Sequence, residues 1–194
     1  MSDLLAALTP VVRTLDALAV TYYVGGSLAS SAHGVARASL DVDLIAALEP
    51  VHIAPFVAAL QGAYYLDSSR IEASVRERRS FNLVHLGTMF KIDVFVARDR
   101  PFDREALRRA GAQVLGKGPE ALRVSVATAE DTVLAKLEWF RAGGEVSERQ
   151  WADVVGILKV GAPNTDQAYL RRWAAVLGVS DLLARALSTA AGTA

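Results

Sequence analysis

Val24-Gly25-Gly26-Ser27-Leu28-Ala29-Ser30-Ser31-Ala32-His33-Gly34-Val35-Ala36-Arg37-Ala38-Ser39-Leu40-Asp41-Val42-Asp43-Leu44-Ile45 is the stretch on which the reading of the chain turns. Before it, the β-branched and aromatic run Thr21 to Val24 leads into two glycines, a strand meeting a tight turn. Ser27 then reads as the N-cap of a short helix, Leu28 to His33, which Gly34 stops. Leu40 to Leu48 is mostly apolar and reads as a buried strand with Asp41 and Asp43 near its start. Residues two apart on a strand project from the same face. Both carboxylates therefore point the same way, and two like charges buried so close need compensation. A hard divalent cation supplies it most simply. Magnesium accepts one or two carboxylates and completes its shell with water and substrate phosphate.

Working outward, Phe81 to Leu86 and Phe90 to Val96 read as a hairpin turning at Gly87-Thr88. Asp93 lies in the second of these strands, among Ile92, Val94, Phe95 and Val96, where a pure core has no use for a carboxylate. If that strand lies beside the Asp41 strand, three carboxylates converge in a two-metal arrangement suited to displacement at phosphorus. Taken singly, Asp-x-Asp is common at strand ends, and Asp93 reads as the surface neighbour of Lys91. The joint pattern carries the chemistry. The Gly25-Gly26-Ser27 turn allows close approach to a phosphate and offers helix N–H groups and a hydroxyl. It matches neither a Walker A loop nor a dinucleotide Gly-x-Gly-x-x-Gly.

The remaining segments alternate at first and then become helical. Residues 3–19 and Pro50 to Leu60 read as helices, Tyr64 to Leu66 as a short strand, and Ile71 to Arg79 as helix or loop. Asp103 to Ala110 reads as a helix and Leu122 to Val126 as a strand. From Thr128 a capped helix begins, followed after Gly143-Gly144 by Ser147 to Lys159, Asp166 to Leu177 and Ser180 to Leu187. The expectation is an α+β fold: a mixed β-sheet flanked by helices over 1–126, and a helical part over 127–194, with a soft boundary that lets the two share one core.

Of the 194 residues, 52% are apolar and 22% charged, as in a globular chain. Lys plus Arg and Asp plus Glu are both 21, so no basic excess advertises tight non-specific nucleic-acid binding. The absence of cysteine excludes disulfides, thiol nucleophiles and zinc–thiolate sites. No uncharged stretch reaches the roughly 20 residues of a membrane span, and the start lacks a signal-peptide pattern, so a cytoplasmic location is expected.

Residues 25–45 resemble the signature of the DNA polymerase β-like nucleotidyltransferase superfamily, most of all the branch of AbiEii-type toxins and related minimal nucleotidyltransferases. That branch has Gly-Gly-Ser, a histidine and an arginine, then Thr-x-Asp-x-Asp; Ser39 stands here in the threonine slot. Asp93 matches the third carboxylate. Lys136 and Arg149-Gln150-Trp151-Ala152-Asp153 are similar to the family's Lys and Arg-Asp-x-x-Asp segments, with Gln150 replacing an aspartate. The resemblance implies a nucleotidyltransferase-type sheet, with Asp41, Asp43 and Asp93 as catalytic metal ligands for magnesium or manganese. It implies that Gly25, Gly26, Ser27, Arg37, Lys136 and Asp153 contact a nucleoside triphosphate, Asp153 in part by orienting Lys136. It implies transfer of a nucleotidyl group to an RNA, protein or small-molecule acceptor, and in the toxin branch a cognate antitoxin.

Other residues carry plainer readings. His33 reads first as structural, and Arg37 equally as a phosphate contact or a surface ion pair. Arg76, Arg78, Arg79 and Lys91 form either a basic lip for an acceptor or a solvated face. Trp139, Trp151 and Trp173 read as core. Two other functions stand beside the transferase: a nucleotide-binding pseudo-enzyme acting through a partner, and a metal-dependent phosphohydrolase.

Overall fold

A computed structural model describes residues 2–35, 41–161 and 164–192. The chain divides into two compact units, Met1–Gly25 with Ala38–Val126, and Gly26–Arg37 with Ala127–Ala194.

The first unit is built on a seven-stranded mixed sheet. Its strands are β1 (Tyr22–Val24), β2 (Asp41–Ala46), β3 (Tyr64–Tyr65), β4 (Ser80–His85), β5 (Lys91–Val96), β6 (Gly111–Leu115) and β7 (Leu122–Val126), in the order β3-β4-β5-β2-β1-β7-β6. β2 runs parallel to β5 and antiparallel to β1, so the two acidic strands are immediate neighbours. Both alternate between half-buried and buried positions. Val42, Leu44, Ala46, Ile92, Val94 and Val96 form the buried set. The carboxylates occupy the other face, because a strand's side chains alternate. β2 is thus half-buried in alternation, where the sequence suggests a continuously buried strand.

Four helices belong to this unit: α1 (Ser2–Ala17), α3 (Pro50–Leu60), α4 (Ser68–Glu77) and α5 (Pro101–Arg109). α1 buries Leu4, Leu5, Ala7, Leu8, Val11, Val12 and Leu15, a helical stripe that packs on α3 and on strands β5 and β7. Residues Ile71 to Arg79, ambiguous in sequence, are mostly helical. The Asp67 carboxylate caps α4 by accepting from the Arg70 amide, and Ile71, Ser74 and Val75 turn inward. β6 has no counterpart in the sequence reading. Only Gln113 and Leu115 are half-buried, while Gly111, Ala112 and Val114 are exposed, so the strand has no clean apolar alternation and forms by pairing with β7.

The second unit is helical: α2 (Gly26–Ala32), α6 (Ala129–Ala142), α7 (Glu148–Gly161), α8 (Gln167–Leu177) and α9 (Ser180–Gly192). α6 and α7 pack together, α9 packs on α7, and α8 packs on both α6 and α9. α2 packs on α6, so residues 26–35, placed by sequence with the sheet, group with the helices instead. Ala29 and Ser30 are fully buried there. Thr128 caps α6 by accepting from the Asp131 amide, and its hydroxyl donates to Asp131 Oδ2 at 2.7 Å. Asp131 also accepts from Tyr169 Oη at 2.6 Å, so this acidic residue is structural. Thr128→Ala removes both Thr128 bonds and is expected to cost about 1–2 kcal/mol, read as a lower midpoint in a urea melt. Trp173 is buried, and Trp151 packs 5.5 Å from the Phe140 ring. Trp139 departs from the core reading: it is half exposed, because the inward stripe of α6 passes through Val133, Leu134, Leu137 and Phe140.

Candidate active site

In the first unit the site face is a two-by-two patch. Asp41 is the register partner of Lys91, and Asp43 of Asp93. Register partners on neighbouring strands share a face, and neighbouring strands lie roughly 4.8 Å apart. Three carboxylates and one ammonium are therefore collected by two strands. Lys91 Nζ lies 2.7 Å from Asp93 Oδ2. The hydrogen bond to Asp93 is the largest cause raising the Lys91 pKa; the charges of Asp93, Asp41 and Asp43 add to it against a smaller effect of burial. Its ammonium is thus held protonated by the acidic patch.

The glycine turn begins on the same sheet. The Gly25 amide donates to the Asp43 carbonyl at 2.9 Å, continuing the β1–β2 ladder one residue further. A Cβ at Gly25 would come within 2.8 Å of Ile45 Cδ1. Gly26 opens α2 with φ of +55°, a conformation that glycine takes at little cost. Ser27 consequently lies inside the first turn of α2 rather than at its cap. Gly26→Ala is expected to cost about 1–2 kcal/mol through the left-handed backbone, seen as a lower Tm by circular dichroism.

In the second unit, Lys136 Nζ lies 2.8 Å from Asp153 Oδ2, with side-chain exposures of 12% and 4%. Ser30 Oγ donates to the Gly26 carbonyl at 3.0 Å and reaches Asp153 Oδ2 at 3.5 Å. Ser31 Oγ donates to the Ser27 carbonyl at 3.0 Å. The first turn of α2 is thereby tied to the buried α6–α7 ion pair. Ser30 escaped the sequence reading, since nothing local relates it to a residue 123 positions away. His33 Nε2 lies 2.7 Å from the Ala127 carbonyl, a structural bond joining α2 to the start of the helical segment.

The basic residues do not gather into one lip. Arg78 adopts φ of +52° at the end of α4 and donates to Leu48 and Ala97 carbonyls and to Glu49. Arg79 pairs with Glu77, and Lys91 with Asp93. Arg37, read equally as a phosphate contact or a surface ion pair, lies outside the described residues, as does Ser39.

The oxygen donors of Asp41, Asp43 and Asp93 suit a hard divalent cation. Among the described residues no three His, Asp or Glu side chains are drawn together as a set that would hold one ion. Within the patch, Asp93 is engaged by Lys91.

The architecture is an α+β, nucleotidyltransferase-type fold. It is similar to an antigenic nucleotidyltransferase-like protein from Paracoccidioides brasiliensis, with a TM-score of 0.55, 16% identity, and coverage of 97% of this chain and 93% of that one. It is also similar to the antibiotic-resistance factor ANT(2'')-Ia, with a TM-score of 0.53, 14% identity, and coverage of 95% and 96%. No protein-family model matches the chain, and no curated protein matches it significantly in sequence. Among the described residues no helix is long and apolar enough to cross a membrane.

Proposed function

We propose that this protein is a magnesium- or manganese-dependent nucleotidyltransferase. The observation that carries the reading is the in-register pairing of Asp43 with Asp93, on the half-buried face of two parallel strands, with the Gly25 amide held to Asp43. In the proposed reaction an acceptor hydroxyl forms a bond to the α-phosphorus of a nucleoside triphosphate. The bond from that phosphorus to the bridging oxygen breaks, and pyrophosphate leaves. The hydroxyl proton passes to a carboxylate of the patch. A divalent ion held by Asp41 and Asp43 would lower the pKa of the attacking hydroxyl and offset charge on the phosphates. Asp41 and Asp43 bind and orient; Gly25 keeps the backbone low beside them. For Gly26, Ser27, Arg37, Lys136 and Asp153 the assigned nucleotide contacts rest on the resemblance of their motifs.

The acceptor is proposed as an RNA, a protein or a small molecule. A structural neighbour that is an antibiotic-resistance factor makes antibiotics sensible first acceptors to try. The toxin reading predicts growth arrest on expression, relieved by Asp43→Asn, and a small antitoxin gene beside this one. The direct test is incubation with each labelled nucleoside triphosphate, magnesium and an acceptor panel. Pyrophosphate release that depends on Asp43 supports transfer. Inorganic phosphate alone would support a phosphohydrolase instead. The Lys91–Asp93 pair favours one second reading, a module that binds nucleotide without turnover; saturable binding with no product from any acceptor would establish it.

A further inference from the structure

We infer that a recess beside the acidic patch is the acceptor subsite, and that the acceptor it takes is a neutral, hydroxyl-rich ring of the pyranoside or cyclitol kind. This rests on the nucleotidyltransferase reading and names the acceptor for it. The recess is lined from β3, the start of α4 and β4, with Tyr65, Asp67, Arg70 and Asn82 among its residues. Strand register ties it to the carboxylates. Asn82 on β4 is the partner of Asp93 on β5, which is the partner of Asp43 on β2. Tyr65 on β3 is the partner of Val84, and Val84 of Lys91. Register partners share a face, so Tyr65 and Asn82 stand on the face that bears the three carboxylates. Neighbouring strands lie roughly 4.8 Å apart, which puts Asn82 one such step from Asp93 and Tyr65 within two steps of β5.

The lining decides the ligand. All four side chains are exposed. Among the described residues the Arg70 guanidinium enters no ion pair, and the Asn82 carboxamide and the Tyr65 hydroxyl make no hydrogen bond. Asp67 uses one oxygen, which accepts from the Arg70 amide at 3.0 Å. The recess therefore offers a guanidinium that only donates, a carboxylate that only accepts and a carboxamide that does both. A hydroxyl is donor and acceptor at once, so adjacent hydroxyls on one ring satisfy all three. Tyr65, 71% exposed, adds a flat apolar surface for the C–H face of such a ring. The charges of Asp67 and Arg70 cancel, so the recess favours a neutral ligand over an anion or a polycation. Its space, about 340 Å³ and open to solvent, is at the small end of ligand sites and suits one ring rather than a chain of them. A ring hydroxyl reaching past Asn82 to Asp93 is the attacking group. Its oxygen bonds to the α-phosphorus, the bond to the bridging oxygen breaks, pyrophosphate leaves, and the hydroxyl proton passes to a carboxylate of the patch.

The test has a binding arm and a turnover arm, both on the whole protein. Saturation-transfer NMR without nucleotide compares methyl glucoside, myo-inositol, adenosine, glucosamine and glucose 6-phosphate. The neutral rings are expected to bind at millimolar concentration, and adenosine separates a free ring from one carried on a nucleoside. Tyr65→Ala and Asn82→Ala are each expected to weaken that binding by on the order of tenfold. Pyrophosphate release is then followed with each nucleoside triphosphate, magnesium and the same rings. There the two variants are expected to raise the acceptor KM by the same factor while kcat stays within about twofold, the mark of lost acceptor binding rather than lost chemistry. Far-UV circular dichroism confirms that each variant is folded; if Asn82→Ala is not, Asn82→Ser takes its place. No ring bound, or binding indifferent to both substitutions, would overturn the inference and leave the nucleotidyltransferase reading to the other acceptors. A preference for the phosphate, lost in Arg70→Ala, would overturn the neutral-ring assignment. Rings bound at the recess with no pyrophosphate from any nucleotide would sink the acceptor role and the nucleotidyltransferase reading together.

Discussion

Asp43→Asn is expected to lower nucleotide turnover by on the order of 10³-fold or more, while leaving the protein at least as stable as before. The magnitude follows from losing several kcal/mol of metal-dependent charge stabilisation at the reacting phosphorus. Asparagine keeps the shape of the side chain, and the backbone of residue 43 still accepts from Gly25 and keeps register with Asp93. What disappears is one of three like charges on a small patch, and like charges held together favour their neutral forms. Stability and activity therefore move apart, which is the mark of a functional carboxylate rather than a structural one. The measurement pairs pyrophosphate release with a thermal melt. Turnover within tenfold of native would defeat the assignment. A melt lowered by several degrees would show instead that Asp43 holds the sheet together.

The opposite signature is expected at Asp153. Its carboxylate is 4% exposed and bonded to Lys136, itself 12% exposed, with Ser30 close to the same oxygen. Asp153→Ala leaves a buried ammonium without its counter-charge, which costs about 3–5 kcal/mol. For a chain of this size each kcal/mol lowers Tm by about 2–4 °C. A fall of roughly 6–20 °C in a calorimetric scan follows from those two magnitudes. Removing both charges should cost far less, because an apolar pair of similar volume replaces a desolvated ion pair. Lys136→Met with Asp153→Leu is thus expected to recover most of the loss. If the double variant melts no higher than the single one, the pair is held for a reason other than charge balance. By contrast, the Arg141–Asp181 pair is largely exposed, and Asp181→Ala should leave the melt nearly unchanged.

Several elements of the fold are legible in the residues themselves. The period-two pattern of Asp41-Val42-Asp43-Leu44 places both carboxylates on one face whatever surrounds the strand, and the structure keeps that placement. The capped start of α6 at Thr128 and the stripe of α1 are equally local. β6 was not legible, because an edge strand without apolar alternation is stabilised by its neighbour rather than by its own sequence. Trp139 misled for a related reason: a hydrophobic residue on a helix is inward only if it falls on the stripe that packing selects. Ser30 was invisible because its partner comes from a distant helix.

The Gly25-Gly26-Ser27 turn, the Asp41/Asp43 face and the alternation of sheet-forming and helical segments are determined by the sequence alone, because backbone freedom, side-chain period and capping act within a few residues. Whether Asp93 joins that face, whether Lys91 holds it, and with which unit residues 26–35 pack were decided by the tertiary structure. Each depends on which strands or helices become neighbours. That choice belongs to burial across the whole chain: β5 settles beside β2 because their alternating apolar positions fill one core, and the charged patch on the other face comes with that pairing.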